Sequence, residues 1–270
     1  MSILRCSLFA LGLGLLVTAC DDPPKSEAAA SASAAPTPSA VPAATSAAAP
    51  APTPEAEKPA PPKVTKKLED CPKGPNVTFD QKEVENEIRK KLQKPDGAIT
   101  KADLKKAKSL NLSQVKLGGV DVCIFSELTG LKDLFLGPGD YDDISPVAYA
   151  KDLESLAASR NQVKDLTPLA KLSKLDRLDL GKTQVADLKP IAGLTTLTEL
   201  ALDDCPVEDV SPLVKMTKLE KLSIQRTKVK DASPLKALKK LKFLYVAGTP
   251  ADEDGMTLAP VRGNGTKVFN

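Results

Sequence analysis

The candidate reactive side chains of this chain are carboxylates and cysteines. Its 270 residues include no histidine. Histidine is the commonest general base in enzymes and a frequent zinc ligand, so its absence argues against acid–base catalysis and zinc binding. One aspartate recurs at a fixed spacing of 22 residues, at positions Asp143, Asp165, Asp187, Asp209 and Asp231. Identical carboxylates at that distance fit a repeated structural role, not one catalytic centre. We therefore expect no enzymatic activity and no cofactor.

Cysteine is the other reactive residue type, and the chain has five. Cys71 and Cys123 flank the start of the 22-residue period. A disulfide there would tie down the entry to the repeats, and we predict one for an exported protein. Cys205 occupies an inward repeat position that elsewhere holds Asn or Thr, which predicts a buried free thiol. Without histidine or a C-x-x-C pair, we expect no metal site.

The recurring aspartates belong to a unit, L-x-x-L-x-x-L-x-L-x-x-T-x-V-x-D-L-x-P-L-x-x, that follows itself without insertion. Its copies begin at Leu128, Ala150, Leu172, Leu194, Met216 and Leu238. A period of this length with an L-x-x-L-x-L core is typical of a leucine-rich-repeat solenoid. The inward seventh and ninth positions alternate with polar residues, so they predict a short strand, and stacked copies predict a parallel sheet. The D-L-x-P-L segment predicts a short 3₁₀ element on the convex side, because proline limits its length.

Side chains on the concave face of this sheet are free of packing duties, and they are the candidate ligand-binding residues. Phe243 and Tyr245 place two aromatic side chains together, and aromatic residues are typical of interface hot spots. Arg177, Glu199 and Lys221 form a ladder of alternating charge. Two plainer interpretations stay open: the aromatic pair packs under a C-terminal cap, and the ladder neutralises itself between coils. The remaining candidates are Asp179, Gln225 and Arg226.

Both ends of a solenoid need caps, since the end coils would otherwise expose apolar surface. Ahead of the repeats, Val84, Ile88 and Leu92 fall on one face of a predicted helix. A capping box that begins at Thr100 predicts a second, shorter helix. We predict an α/β leucine-rich-repeat horseshoe with a concave parallel sheet, short 3₁₀ convex elements and a helical N-terminal cap. The predicted domains are a signal peptide at 1–19, a disordered linker at 20–70, the helical cap at 71–108, the solenoid at 109–250 and a C-terminal cap at 251–270.

The start of the chain indicates export. Arg5 precedes an apolar run and small residues, which is the pattern of a secretory signal peptide. The following sequence Val17-Thr18-Ala19-Cys20 resembles the bacterial lipobox, which implies lipidation of Cys20, with palmitate as an acyl group. An ordinary signal peptide with an incidental cysteine is the alternative. The Ala-, Pro- and Ser-rich stretch beyond it cannot bury enough area to fold and predicts a spacer. We expect the protein to be anchored to a membrane of the bacterial cell envelope, with either leaflet compatible.

The repeat, with Asn or Thr at its twelfth position and its D-L-x-P-L segment, resembles the 22-residue leucine-rich repeat of internalins. The helical segment in front of it is also similar, and the resemblance covers about residues 79–255. It implies a protein-recognition module on a bacterial surface that uses its concave sheet. This chain departs from the pattern by carrying Thr in place of the usual Asn in three coils.

The amino-acid composition further limits the classes of ligand that this protein could bind. Aromatic residues are 3% of the chain and tryptophan is absent, which leaves few platforms on which nucleotide bases could stack. We therefore expect no nucleic acid, and a monomeric, membrane-anchored, non-catalytic module for an unidentified protein ligand. The alternative is a structural scaffold or spacer of the envelope without a dedicated ligand. A binding module predicts one cluster of surface residues that decides capture, whereas a scaffold tolerates single surface changes.

Overall fold

The structure is a computed structural model that describes residues 66–270. The predicted signal peptide, Cys20 and the linker up to residue 65 lie outside the described residues. Among the helices from residue 66 onward, none is long and apolar enough to cross a membrane.

Within residues 66–270, a 3₁₀ turn at Leu68–Asp70, at the end of the predicted linker, and two α-helices precede the sheet. Helix α1 spans Lys82–Leu92 and buries Val84 and Ile88, and it ends at Gln93, which takes a left-handed conformation. Helix α2 spans Lys101–Leu104. Its first residue follows Thr100, whose hydroxyl accepts from the Asp103 N–H at 3.2 Å, while Asp103 Oδ2 accepts from the Thr100 N–H at 3.1 Å. This reciprocal pair is the capping box that the sequence indicates.

One parallel sheet runs through the described chain, and each strand pairs with the next one in sequence. Each strand is short because the turn after it sends the chain away from the sheet. The pairing joins equivalent repeat positions, so Leu178 pairs with Leu200, and Leu200 with Leu222. The strands are β1 Ser109–Asn111, β2 Asp133–Phe135, β3 Ser155–Ala157, β4 Arg177–Asp179, β5 Glu199–Ala201, β6 Lys221–Ser223, β7 Phe243–Tyr245 and β8 Lys267–Phe269.

Between β2 and β7 the segments that join the strands are 3₁₀ helices with the repeated proline as their second residue, and most of them pack against the next one along the solenoid. They span Ser145–Tyr149, Thr167–Lys171, Lys189–Ile191, Ser211–Lys215 and Ser233–Ala237. In each coil the recurring aspartate accepts the backbone N–H two residues further on, at 2.7 to 2.9 Å. Hydrogen bonds from the Thr167 side chain and backbone lower the pKa of Asp165, because they stabilise its charged form. The aspartate row is therefore structural, as predicted.

The first coil replaces its 3₁₀ segment with a short helix, α3, at Val122–Phe125. Asp121 begins this helix, and its Oδ1 accepts the Cys123 N–H at 2.8 Å. A disulfide joins Cys71 to Cys123. The entry segment is thereby fastened to the start of α3, where the sequence predicts it.

The core is a column of leucines between the sheet and the 3₁₀ segments. Leu200 is 2% exposed and Leu202 is fully buried. The twelfth repeat position supplies the polar bonds of this core: Thr183 and Thr227 each donate to the carbonyl three residues earlier, at 2.8 and 2.7 Å. Cys205 fills the same position as a buried free thiol, with its Sγ 3.1 Å from the Leu180 carbonyl oxygen. Satisfied carbonyls at this turn allow the chain to leave the sheet without a buried, unpaired acceptor.

A left-handed residue follows every strand from β3 to β7, at the eleventh repeat position. The φ angles there are 61° at Arg160, 58° at Lys182, 59° at Asp204, 54° at Arg226 and 72° at Gly248. The N–H of this residue donates to a backbone carbonyl of the next coil, as in the 2.7 Å hydrogen bond from the Lys182 N–H to the Asp203 carbonyl oxygen. Inter-coil hydrogen bonding thus continues beyond the strand, at the cost of a conformation that L-residues disfavour.

The C-terminal residues add a further coil. Helix α4 spans Pro250–Asp254, helix α5 spans Ala259–Arg262, and β8 then joins the sheet. Its first residue, Lys267, pairs with Phe243, which lies 24 residues earlier, so this coil is two residues longer than the others. The C-terminal cap is therefore partly sheet, and it extends the surface that the repeats present.

Candidate functional site

The sheet face is the set of strand side chains that point away from the leucine core, and it carries most of the candidate residues. The strand register stacks these side chains into columns. One column consists of Arg177, Glu199, Lys221, Phe243 and Lys267. The next column consists of Asp179, Ala201, Ser223, Tyr245 and Phe269.

The charged ladder is exposed and makes no contact ion pairs. Arg177, Glu199 and Lys221 are all exposed, and within residues 66–270 no ion pair closer than 4.0 Å involves any of them. Paired strands stand about 4.8 Å apart, so these side chains are neighbours that remain free to reorient. Asp179 is partly committed, because its Oδ1 accepts the Gly181 N–H at 2.9 Å.

Three aromatic side chains meet on the last two strands and form what we call the aromatic cluster: the exposed Phe243 and Phe269 and the half-buried Tyr245. The Tyr245 and Phe269 rings are stacked, with centroids 4.8 Å apart and planes 13° apart. The Phe243 and Phe269 centroids are 6.3 Å apart. Phe243 is 37% exposed and Phe269 is 42% exposed, so the C-terminal cap leaves Phe243 open. Tyr245 is half-buried, because Phe269 of the cap stacks on its ring. The cap contributes to the cluster instead.

Phe269 is absent from the sequence-based candidates. It lies in a coil of 24 residues that lacks the repeat pattern, so its strand could not be placed by counting in steps of 22. The remaining indication of a strand was the short sequence Lys267-Val268-Phe269, in which a polar residue is followed by an apolar and an aromatic one.

Basic side chains lie next to Phe243 of the aromatic cluster. Lys221 and Lys267 flank Phe243 in register on either side. Beside them lies an open groove of about 510 Å³ that Lys239 and Lys240 also line. Lys239 donates to Asn264 at 2.8 Å, and Lys242, at the same groove, pairs with Glu220 at 2.6 Å. The groove keeps an excess of positive charge next to exposed aromatic rings.

Gln225 and Arg226 form hydrogen bonds to aspartates of the preceding coil. The Gln225 N–H donates to Asp203 Oδ1 at 2.8 Å. Arg226 lies in the left-handed turn beyond β6 and makes two bonds to Asp204, at 2.6 and 2.7 Å. The hydrogen bonds to Asp204 raise the pKa of the Arg226 guanidinium, and the same pair lowers the pKa of Asp204. Arg226 is therefore a turn residue with a partner of its own, at the margin of the sheet face.

Solved structures of leucine-rich-repeat proteins resemble this chain. An internalin, InlF, from Listeria monocytogenes is 28% identical with a TM-score of 0.57, and the match covers 63% of this chain and 51% of that one. Internalin C2 from the same species is 24% identical with a TM-score of 0.56, over 71% of this chain and 92% of that one. A leucine-rich-repeat protein from Leptospira interrogans is 19% identical with a TM-score of 0.50, over 62% and 50%. The fold is a leucine-rich-repeat solenoid.

The leucine-rich-repeat chain spans about half the length of the InlF chain that it matches. No protein-family model matches the chain, and no curated protein matches it. The likeness therefore establishes the leucine-rich-repeat fold. The solved structures that share this fold are internalins and another leucine-rich-repeat protein. The similarity to leucine-rich-repeat proteins suggests that this chain is a protein-interaction module, because each coil of such a solenoid has outward side chains that the core does not use.

Proposed function

We propose that this leucine-rich-repeat solenoid is a non-catalytic, monomeric module that binds a protein ligand on its concave sheet face, with the aromatic cluster as the anchor. The observation that carries the proposal is the exposure of Phe243 and Phe269 beside the stacked pair of Tyr245 and Phe269. Soluble proteins seldom leave adjacent aromatic rings exposed on a rigid sheet without a use for them. Aromatic side chains in such positions account for much of the binding energy in protein interfaces.

The surroundings of the cluster favour a ligand with an apolar side chain next to acidic ones. Phe243 lies between Lys221 and Lys267 in the register, and the adjacent groove is lined by further lysines. A ligand that buries an apolar group on the rings would place its neighbouring carboxylates within reach of these lysines. An apolar centre with a charged rim is the usual arrangement of a specific interface.

The test is capture from envelope extracts of the cells that make this protein. Wild type is compared with Phe243→Ala/Tyr245→Ala and with the matched surface variant Arg177→Ala/Glu199→Ala, and the bound proteins are quantified by mass spectrometry. We expect one protein to be retained by wild type and by the Arg177 variant and to be lost at least about thirtyfold in affinity from the aromatic variant, equivalent to about 2 kcal/mol. Equal capture by both double variants would contradict the site and favour the envelope scaffold.

We further propose that Cys20 is acylated and holds the solenoid at a membrane of the bacterial cell envelope. The support is in the sequence alone: the lipobox-like residues 17–20 follow an apolar run, and a Pro- and Ala-rich spacer follows them. Two or more acyl chains give stable anchoring, whereas one gives only marginal binding. Cys20→Ser should move the protein from the membrane fraction to the soluble fraction. Unchanged membrane association of that variant would refute the anchor without touching the binding proposal.

A further inference from the structure

The parallel sheet has a free edge at β8. Among the strands of residues 66–270, β8 is last in the order and pairs with β7 only. Toward β7, the Lys267 N–H donates to the Lys242 carbonyl at 2.9 Å, and the Phe269 carbonyl accepts from the Val246 N–H at 3.0 Å. Because the backbone groups of successive strand residues point to opposite sides, the N–H and the carbonyl of Val268 point away from β7. An edge of this kind can pair with another extended chain.

The edge of β8 repeats the arrangement by which β7 receives β8. The Lys242 carbonyl, just before β7, accepts a hydrogen bond from β8, and the Val246 N–H, just after β7, donates one. The equivalent groups of β8 are the Thr266 carbonyl and the Asn270 N–H, and within residues 66–270 neither forms a backbone hydrogen bond. An extended chain can therefore add to β8 as a parallel ninth strand through the same pattern of bonds.

The leucine column of the core is also open at β8. Val268 occupies the position that Leu244 holds in β7 and Leu222 holds in β6. Both leucines are fully buried, whereas Val268 is half-buried because no further coil of the described chain covers it. An apolar side chain on an added strand would cover Val268 and remove apolar area from water, which favours binding.

The charge at this end of the solenoid selects an acidic strand. Residues 215–242 include ten basic and two acidic residues. Lys267 is exposed and forms no ion pair closer than 4.0 Å within residues 66–270, and Lys239 and Lys240 line the groove beside it. A carboxylate next to Lys267 is attracted, whereas a second copy of this chain brings the same lysines and is repelled.

We propose that the protein ligand contributes an extended acidic segment that adds to β8 as a ninth strand. This inference rests on the proposed function and specifies how the ligand is held. A strand in parallel register places an acidic side chain beside Lys267, an apolar one beside Val268 and an aromatic one beside Phe269, which is 42% exposed. In such complexes the backbone hydrogen bonds supply affinity and the alternating side chains supply specificity.

The test uses the full chain and the peptide acetyl-Gly-Glu-Glu-Val-Phe-Gly-amide, with binding and amide hydrogen exchange followed by NMR. We expect saturable binding and exchange at the Val268 N–H that is slower by about tenfold or more, because this N–H gains a partner. A peptide with lysine in place of both glutamates should bind about tenfold more weakly, since its charge opposes that of Lys267. No saturable binding of the acidic peptide, or equal affinity for the two, would overturn the proposal.

Backbone methylation of the peptide separates strand addition from contacts of side chains alone. In a parallel ninth strand the N–H of the phenylalanine donates to the Val268 carbonyl, whereas the N–H of the valine points away from β8. N-methylphenylalanine should therefore weaken binding about tenfold, and N-methylvaline should leave it within about twofold. Equal losses from the two methylations would refute the ninth strand.

Variants of β8 distinguish this inference from the proposed function. Val268→Pro removes the N–H at the free edge, where a sheet tolerates proline, and should weaken binding of the acidic peptide about tenfold. Lys267→Glu leaves the backbone intact and should reverse the preference between the glutamate and lysine peptides, and an unchanged preference would overturn the proposal. A protein that is lost from Phe243→Ala/Tyr245→Ala but captured by Val268→Pro at wild-type affinity would leave the sheet-face site standing and refute the ninth strand.

Discussion

Leu200 and Ala201 are neighbours in β5, and their side chains have opposite roles. Leu200 is 2% exposed and belongs to the leucine column, whereas Ala201 lies on the sheet face and is partly exposed. The alternation along a strand assigns one residue to stability and the next to recognition. The same division holds in every coil, because the register aligns equivalent positions.

Leu200→Ala should lower the free energy of unfolding by about 2–5 kcal/mol, because it removes buried methyl groups and leaves a cavity. Ala201→Ser should change it by no more than about 0.5 kcal/mol, as surface substitutions usually do. Chemical denaturation of the two variants beside wild type measures both values. Equal destabilisation would mean that the assignment of inward and outward positions in this strand is wrong.

Cys205 should be chemically inert in the folded protein. Its thiol is 2% exposed, and burial raises its pKa, so little of the reactive thiolate forms near neutral pH. Iodoacetamide at pH 8 should leave Cys205 unmodified in buffer and alkylate it in denaturant, as followed by mass spectrometry. Rapid alkylation under native conditions would show that the coil around the thiol opens locally.

At the scale of the element, the left-handed turns after strands β3 to β7 are the feature that is hardest to predict from the sequence. Glycine is the residue usually found there, but four of the five turns hold Arg160, Lys182, Asp204 or Arg226. These residues accept the strain because the turn N–H bonds to the next coil. The requirement is set by the neighbouring coil and leaves no mark in the local sequence.

Lys182→Gly should therefore stabilise the protein by about 0.5–1 kcal/mol, since relief of the roughly 1–2 kcal/mol left-handed strain exceeds glycine's entropy cost. Lys182→Val is the matched opposite case, because a β-branched side chain fits this conformation poorly. Thermal and chemical denaturation of the pair should give shifts of opposite sign. A destabilised Lys182→Gly would indicate that the lysine side chain contributes more than its backbone strain removes.

The sequence predicts strands β2 to β7, their register and their 3₁₀ partners, because the leucine and aspartate rows recur without insertion. It also places Phe243 and Tyr245 on the sheet face. It does not predict β8 or Phe269, because that strand is recruited by the exposed edge of β7 and not by a repeat of its own. A pocket of about 250 Å³ beside Asp121 cannot be predicted from the sequence either, since residues from α1, from the loop before α3 and from the second coil meet there only in the folded chain.

At the scale of the whole molecule, the solenoid is a stack in which each coil contacts mainly its neighbours, so stability is close to a sum over coils and their interfaces. Ion pairs between equivalent or nearby repeat positions follow the same rule. Lys132 pairs with Glu154 at 2.7 Å, and Lys174 with Asp152 at 2.6 Å, each across 22 residues. These pairs are about half exposed, so their contribution is small beside that of the leucine column.

Removal of residues 172–193, one complete unit, should leave a folded protein, because the coils on either side present matching positions to each other. Arg160 would then stand beside Asp204 at the eleventh position, which places opposite charges together. Removal of residues 172–182, half a unit, should prevent folding, because inward leucines would be replaced by outward side chains. Circular dichroism and a thermal melt distinguish the two, and a folded half-unit deletion would refute the coil-by-coil description.

The disulfide between Cys71 and Cys123 also determines how the molecule carries mechanical load. A pull on the N-terminal side enters at Cys71 and crosses the sulfur–sulfur bond to Cys123, so residues 72–122 lie outside the loaded path. These cysteines are 52 residues apart, and a stretched chain spans about 3.3–3.6 Å per residue, so reduction would release about 170–190 Å of hidden contour length. With the bond intact, the repeats are the first part to extend under tension. The N-terminal cap, whose ends the disulfide joins, therefore keeps its shape while the repeats extend.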